Sequence, residues 1–168
     1  MKKIKARSQF SVTDNVKLYA FDSKSVKNYQ DYLKLKDKRK YLIDEGNNLV
    51  VNQGLNFIRD VMTATTTGSI THTQPGSGST AVNANDTALV TAIGSRLAAS
   101  DRYSGGNGII NIDTFYTAGD NNGTWAEVGA FTASTGGSMI ARRVLAATFA
   151  KATTNTALLA WTFTMTSS

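Results

Sequence analysis

The chain contains no cysteine, a single proline and a single histidine, His72, among its 168 residues. Without thiols it can form neither disulfide bonds nor cysteine zinc sites, and it has no thiolate nucleophile. A lone histidine does not supply the paired imidazoles of a typical transition-metal site. These absences argue against an enzyme, and we expect neither a cofactor nor a bound metal.

Long apolar runs are also missing from the sequence. No apolar stretch approaches the roughly 20 residues that a membrane span needs. The first residues, MKKIKARSQFSV, are basic, but no apolar stretch follows them as it would in a secretory signal peptide. We therefore expect a soluble, single-domain protein that makes no membrane contact.

The positive charge is concentrated near the N-terminus. Residues 1–47 contain 12 of the 18 Lys and Arg and 6 of the 12 Asp and Glu, a net charge of 12 − 6 = +6, whereas residues 48–168 contain 6 of each sign. Glycine and threonine show the opposite bias, with 13 of 14 glycines and 21 of 22 threonines after residue 47. We predict a basic N-terminal arm or extension over residues 1–47 and a turn-rich body over residues 48–168.

From Ile109 onward, apolar and polar residues alternate with the period of β-strands. Turn sequences such as Asn122-Gly123 and Gly136-Gly137 separate the alternating stretches. The pattern predicts a mainly β protein, an antiparallel β-sandwich of the jelly-roll or immunoglobulin-like type with one or two short helices. In the last strand the core face should carry Leu159, Trp161, Phe163 and Met165, with Thr162, Thr164 and Thr166 on the other face.

Helical periodicity precedes these strands. Residues 52–62 place Leu55, Ile58 and Met62 on one stripe, which predicts a helix that Asn52 caps. A second short helix is predicted over residues 87–97, although Gly94 weakens it. A strand around Ile70 and a long mobile loop should connect the two helices.

Two short motifs invite a functional interpretation. The sequence GSGST at residues 76–80 is similar to a phosphate-binding loop but lacks the Gly-Lys-Ser/Thr ending, so we interpret it as a flexible loop. His72 has neither a second histidine nor a carboxylate pair near it in the sequence, and we interpret it as a surface or packing residue.

The acidic residues Asp113, Asp120 and Glu127 are candidates for a catalytic carboxylate pair or a calcium site. They lack the spacing of a calcium loop, so a solvated strand face is the favoured interpretation. The adjacent Arg142 and Arg143 should point to opposite faces of their strand, one outward and the other inward, where it needs a carboxylate such as Glu127.

The segment KLKDKRK at residues 34–40 could be part of a helix or an exposed extended arm. Its basic residues and neighbouring tyrosines could bind nucleic acid, but the interleaved Asp31 and Asp37 oppose a strong phosphate contact. Docking on an acidic protein surface is the favoured alternative. The candidate interaction residues are five basic side chains and two tyrosines: Lys34, Lys36, Lys38, Arg39, Lys40, Tyr29 and Tyr32.

Four pieces of the sequence, in this order, resemble a family of small structural proteins of tailed bacteriophages: LVVNQGLNFIRDVM, ITHTQPGSGSTAVNANDTAL, NNGTWAEVGAF and MIARRVLAATFAKATTNTALLAWTFTM. The resemblance spans residues 48–168, over two thirds of the chain, and excludes residues 1–47. It implies a β-sandwich module of the kind found in tail fibres, tail accessory proteins and capsid decoration proteins, and it implies no catalytic residue.

On this basis we expect a non-enzymatic virion protein, assembled in the cytoplasm of the bacterial host and attached to the tail or neck through its N-terminal arm. Its partners would be other virion proteins and further copies of itself in a homo-oligomer. Capsid decoration is the alternative. A carbohydrate-binding module that recognises a host receptor through Tyr116, Trp125 and loop asparagines is a third possibility.

Overall fold

A computed structural model of the chain describes residues 10–167. They form two antiparallel five-stranded sheets and two helices, which confirms the predicted mainly β, sandwich-like fold. The strands are β1 (Phe10–Asp22), β2 (Leu42–Asn47), β3 (Leu49–Val50), β4 (His72–Gly76), β5 (Leu97–Ala98), β6 (Asp101–Gly106), β7 (Ile109–Tyr116), β8 (Gly123–Phe131), β9 (Met139–Lys151) and β10 (Asn155–Ser167). The helices are α1 (Tyr29–Leu33) and α2 (Asn52–Met62), and one 3-10 turn spans Arg39–Tyr41.

The two sheets enclose the main core. The front sheet has the strand order β2-β1-β10-β7-β6, and the back sheet has the order β3-β9-β8-β4-β5. Alternate residues of facing strands fill the space between the sheets, as expected for strands with one buried face. The largest buried side chains of this core include Trp125, Tyr116, Trp161, Leu159 and Ile140. The predicted core face of β10 is confirmed for Leu159, Trp161 and Phe163, while Met165 is half-buried.

Strand β1 belongs to the sandwich. It pairs with β10 along its whole length, from Phe10 opposite Ser167 to Asp22 opposite Asn155, and it contributes Val16 and Leu18 to the core. The predicted arm of residues 1–47 is therefore wrong for residues 10–22 and 42–47, which are strands of the front sheet. Residues 1–9 lie outside the described part of the chain. Apolar residues alternate with charged ones along β1, so Val16 and Leu18 face the core while Lys17 points outward. The ammonium group of Lys17 pairs with Glu45 of β2 at 3.2 Å.

The basic segment lies against the outer face of the front sheet. Its first turn is α1, whose N-terminus is capped by the side-chain oxygen of Asn28, which accepts a hydrogen bond from the amide of Asp31 at 3.0 Å. Tyr32 is buried against Phe21, in a second apolar cluster that also includes Phe115. Two short helical turns thus replace both the long helix and the extended arm that the sequence allowed.

Helix α2 has the predicted bounds but not the predicted orientation. Leu55 and Met62 are exposed, and the only buried residue of the helix is Gly54. A Cβ atom on Gly54 would lie 2.3 Å from the carbonyl oxygen of Ile140, so the close approach of α2 to β9 requires glycine. The cap position is Val51 rather than Asn52, which is the first residue of the helix and whose side chain donates to Asn85 at 2.8 Å.

The predicted helix over residues 87–97 is absent. The amide of Ile93 donates to the carbonyl of Pro75 on the neighbouring strand β4 at 2.9 Å, and Gly94 has a left-handed backbone with φ of 61°. Pairing to the sheet therefore overrides the helical period. Within residues 10–167, no helix is long and apolar enough to cross a membrane.

Candidate functional site

The most deeply buried charged pair lies on the back sheet, where Glu127 of β8 meets Arg142 of β9. The Nε atom of Arg142 donates to Oε2 of Glu127 at 2.6 Å, and both residues are fully buried. The two outer nitrogens of the same guanidinium donate to the carboxylate of Asp86 at 2.8 Å and to the carbonyl of Thr80 at 2.9 Å. The predicted pairing of an arginine with Glu127 is thus confirmed, and this arginine is Arg142.

The carboxylate of Glu127 also organises the loop that covers it. Its Oε1 atom accepts hydrogen bonds from the amides of Gly78 at 3.1 Å and Thr91 at 2.9 Å, and its Oε2 atom accepts one from the amide of Val90 at 3.3 Å. A Cβ atom on Gly78 would lie 2.5 Å from Oε1. The sequence GSGST is therefore held against a buried carboxylate, since the amides of Ser77 and Gly78 already donate to the carbonyl of Thr91 and to Glu127.

Arg143 is buried as well, which corrects the expectation that one of the two arginines points outward. Its Nη2 atom donates to Asp44 of β2 at 2.6 Å, and Asp44 also accepts from the amide of Ala146 at 2.9 Å. This ion pair joins the front sheet to the back sheet at the edge where the chain crosses from β2 to β3. An outward position was predicted because neighbouring residues of a strand point to opposite faces. Neither arginine is exposed, since Thr80 and Asp86 cover Arg142 and Asp44 of β2 covers Arg143.

A third buried charge lies beside this pair, on the inner face of β1. Asp14 accepts a hydrogen bond from the side chain of Asn48 at 3.0 Å, and its burial raises its pKa to about 6. Among the described residues, Oδ1 of Asp14, Oδ1 of Asn48 and Nε of Arg143 are buried without a hydrogen-bond partner. Burial of these polar atoms without partners lowers the free energy of unfolding.

The three acidic candidates lie apart and do not form one site. Asp113 is buried and accepts a hydrogen bond from the hydroxyl of Tyr29 at 2.7 Å, and its burial raises its pKa. Asp120 closes a turn by accepting from the amide of Thr117 at 2.8 Å. The prediction of a solvated strand face is therefore wrong for Asp113 and Glu127. Across residues 10–167 there is no group of three or more His, Cys, Asp or Glu residues that could hold a metal ion.

The aromatic residues proposed for carbohydrate binding are not available to a ligand. Tyr116 and Trp125 are both fully buried, with their rings packed edge to face at 4.9 Å. The loop residue Asn121 is also unavailable to a ligand, because its side-chain amide nitrogen donates to the carbonyls of Ile93 and Ser95 at 2.8 Å each. Tyr116, Trp125 and Asn121 therefore do not form an accessible carbohydrate-binding surface.

His72 behaves as a packing residue. It lies on β4, half-buried, and its Nδ1 atom shares a hydrogen bond of 2.7 Å with the hydroxyl of Thr71. Burial, with smaller contributions from Arg96 and Arg102, lowers its pKa and so favours the neutral imidazole.

The candidate interaction residues do lie together, and we name the surface formed by residues 24–40 the basic surface. Lys34, Lys36, Arg39 and Lys40 are exposed, whereas the ammonium group of Lys38 lies 4.2 Å from the centre of the ring of Tyr32. Tyr29 and Tyr32 stack on each other at 5.7 Å and pack on the front sheet. The tyrosines therefore support the basic side chains and are not free to stack on nucleic-acid bases.

Asp44 and Asp86 were missed as partners of the arginines, because no local signal in the sequence joins residues that lie 99 and 56 positions apart. Comparisons of the chain with protein-family models, with curated proteins and with solved structures found no match. The function of the chain must therefore be inferred from its own residues.

Proposed function

We propose that this chain is a non-enzymatic structural component of a tailed-bacteriophage virion, associated with the tail or neck, that binds acidic neighbours through its basic surface. The observation that carries this proposal is the division of charge: the two buried arginines are paired with carboxylates, whereas residues 24–40 carry an excess of Lys and Arg, most of them exposed. The four sequence pieces that resemble phage structural proteins supply the biological context.

The interior charges support a structural role. Arg142 and Arg143 are held by Glu127 and Asp44 at 2.6 Å each, and Asp113 is held by a tyrosine hydroxyl. A catalytic acid or base needs access to a substrate proton, whereas these groups are covered by the backbone and by their partners. We therefore expect no hydrolysis of peptidoglycan, ester or phosphodiester substrates by the purified protein.

The basic surface supports an attachment role. Residues 24–40 contain seven Lys and Arg and two Asp, a net charge of 7 − 2 = +5 on a segment of 17 residues. The aromatic cluster beneath holds this segment on the front sheet, so little conformational entropy is lost when a partner binds. A protein surface rich in Asp and Glu is the complementary partner, because such a surface would steer the approach and fix the orientation.

Quantitative mass spectrometry of purified virions tests the proposal. A few copies per particle, in a multiple of the rotational symmetry of the tail, would support tail or neck attachment, because homo-oligomers follow closed symmetry. Hundreds of copies would assign the chain to capsid decoration instead. Its absence from purified particles would overturn the proposal.

A further inference from the structure

An apolar groove lies between α2 and the inner face of the front sheet, outside the basic surface. Its volume is about 350 Å³. Phe57, Ile58 and Val61 of α2 form one wall, and Val12, Ile110 and Met165 of strands β1, β7 and β10 form part of the other. The outer strands of the back sheet, β3 and β5, are only two residues long each, so the helix has to cover the front sheet here.

The cover that α2 provides is incomplete. Val61 and Ile110 are each 39% exposed, and Met62 is 73% exposed. Apolar side chains that face each other across an open cleft lose the contacts that close packing would give. The groove therefore favours an apolar occupant of suitable width.

One charged side chain reaches the groove. Arg102 of β6 is paired with Ile112 of β7, which places its side chain on the inner face of the front sheet. Its Nη1 atom donates to the hydroxyl of Ser69 at 2.7 Å. Within residues 10–167, no carboxylate lies within ion-pair distance of this guanidinium, unlike those of Arg142 and Arg143.

We propose that this groove binds a medium-chain fatty acid, with its alkyl chain among the apolar side chains and its carboxylate on the guanidinium of Arg102. The volume lies in the range of about 300–1,000 Å³ that is typical of small-molecule sites, and an apolar lining with very few polar groups is equally typical. The planar fork of an arginine matches a carboxylate, and Ser69 holds that fork in place.

Isothermal titration calorimetry with octanoate, decanoate and dodecanoate tests the apolar part of the site. Each added methylene should increase the affinity by about fourfold until the groove is full, after which the affinity should level off. Absence of binding by all three acids at millimolar concentration would overturn the proposal.

A substitution of Arg102 tests the polar part of the site separately from the apolar part. Arg102→Gln should weaken decanoate binding by about tenfold and leave decanol binding unchanged, because decanol has no charge to lose. Lys17→Gln, which removes a charge outside the groove on the outer face of β1, is the control and should bind both ligands as the unchanged protein does. Equal decanoate affinity in Arg102→Gln and the unchanged protein would contradict the assigned carboxylate position.

A larger side chain in the wall should block the groove. Val61→Trp should abolish the binding of both ligands while the melting temperature stays close to that of the unchanged protein; if it is destabilised, Met62→Trp at the more exposed neighbouring position serves instead. Analytical ultracentrifugation tests whether a second copy of the chain, and not a fatty acid, occupies the groove. A dimer that Val61→Trp or Met62→Trp converts to monomer would assign the groove to a second copy of the chain and overturn the fatty-acid proposal.

Discussion

At the scale of single residues, the buried ions of the sandwich are held in place by many partners. Glu127 alone accepts hydrogen bonds from one guanidinium and from three backbone amides. A buried ion pair is a weak source of net stability, since desolvation offsets the attraction, but the loss of one partner leaves an unpaired charge in the interior. The pair therefore fixes the position of the covering loop more than it adds to the free energy of folding.

Glu127→Gln should for this reason lower the free energy of unfolding by about 3 kcal/mol, because Arg142 would keep its charge without its nearest partner. The control is Glu45→Gln, which removes the exposed partner of Lys17 and should cost less than about 1 kcal/mol. Urea denaturation of both variants measures the difference. Equal decreases in the free energy of unfolding for the two variants would show that the pair of Glu127 and Arg142 does not hold the covering loop in place.

Asp14 predicts an unusual dependence of stability on pH. Burial raises its pKa from 3.8 to about 6, so the folded state binds the proton more tightly than the unfolded state does. Its contribution to stability is then complete below about pH 4 and is lost as the pH rises through about 6. This direction is opposite to that of a carboxylate stabilised by an ion pair.

Asp14→Asn cannot ionise and should raise the free energy of unfolding at pH 7 by about 2–3 kcal/mol, since each unit of pKa shift corresponds to about 1.4 kcal/mol. At pH 4 the variant and the unchanged protein should differ little. Urea denaturation at both pH values gives the comparison. A difference of the same size at pH 4 and pH 7 would contradict the assigned role of the carboxylate.

At the scale of elements, β1 departs most from its prediction, because it is a strand of the front sheet and not part of an N-terminal arm. It is paired with β2 on one side and with β10 on the other, and it supplies Val16 and Leu18 to the core. Its removal would expose an edge of β10 and the inner face of the back sheet.

A chain that begins at Asn48 should therefore fail to fold, contrary to the expectation from charge distribution. A chain that begins at Phe10 keeps the β1 pairing and is the matched control. Circular dichroism and the dispersion of amide proton resonances distinguish the two. A cooperative thermal transition in the chain that begins at Asn48 would restore residues 10–47 to the role of an attachment arm.

The limits of prediction from the sequence follow from the range of each interaction. Alternation identified the late strands and the core face of β10, because that signal is local. The pairing of Arg142 with Glu127 was also accessible, since neighbouring antiparallel strands carry both residues. The pairing of Arg143 with Asp44 was not, because it depends on how two distant sheet edges meet.

The helix predicted over residues 87–97 failed for a related reason. The apolar period of this segment is a local signal. Its amides, however, donate to acceptors on other strands, Ile93 to Pro75 and Thr91 to Glu127. Likewise, the excess positive charge did not indicate that residues 10–22 and 42–47 pair as strands of the front sheet. Charge and period are poor guides where a distant partner supplies the hydrogen bonds.

At the scale of the whole molecule, the exposed lysines of the basic surface should act in binding and not in folding. Replacing Lys34, Lys36 and Lys40 together by glutamine should leave the free energy of unfolding nearly unchanged, because all three side chains are exposed. Binding to particles that lack the protein should weaken, and the remaining affinity should depend less on salt.

The same three positions replaced by arginine keep the charge and provide the control, which should bind as the unchanged protein does. Rebinding measured by co-sedimentation at about 0.1 M and about 1 M salt, where the Debye length falls from about 10 Å to about 3 Å, gives the comparison. Normal rebinding of the glutamine variant would transfer the contact to another face of the sandwich.

At this scale the proposed function is that the sandwich is a structural component of a virion, with its basic surface against an acidic neighbour. Electron cryomicroscopy of particles produced with and without the gene tests it most directly. We predict a difference density that fits the two five-stranded sheets, with residues 34–40 at the contact with the adjacent protein. Particles with identical density in both preparations would contradict the account.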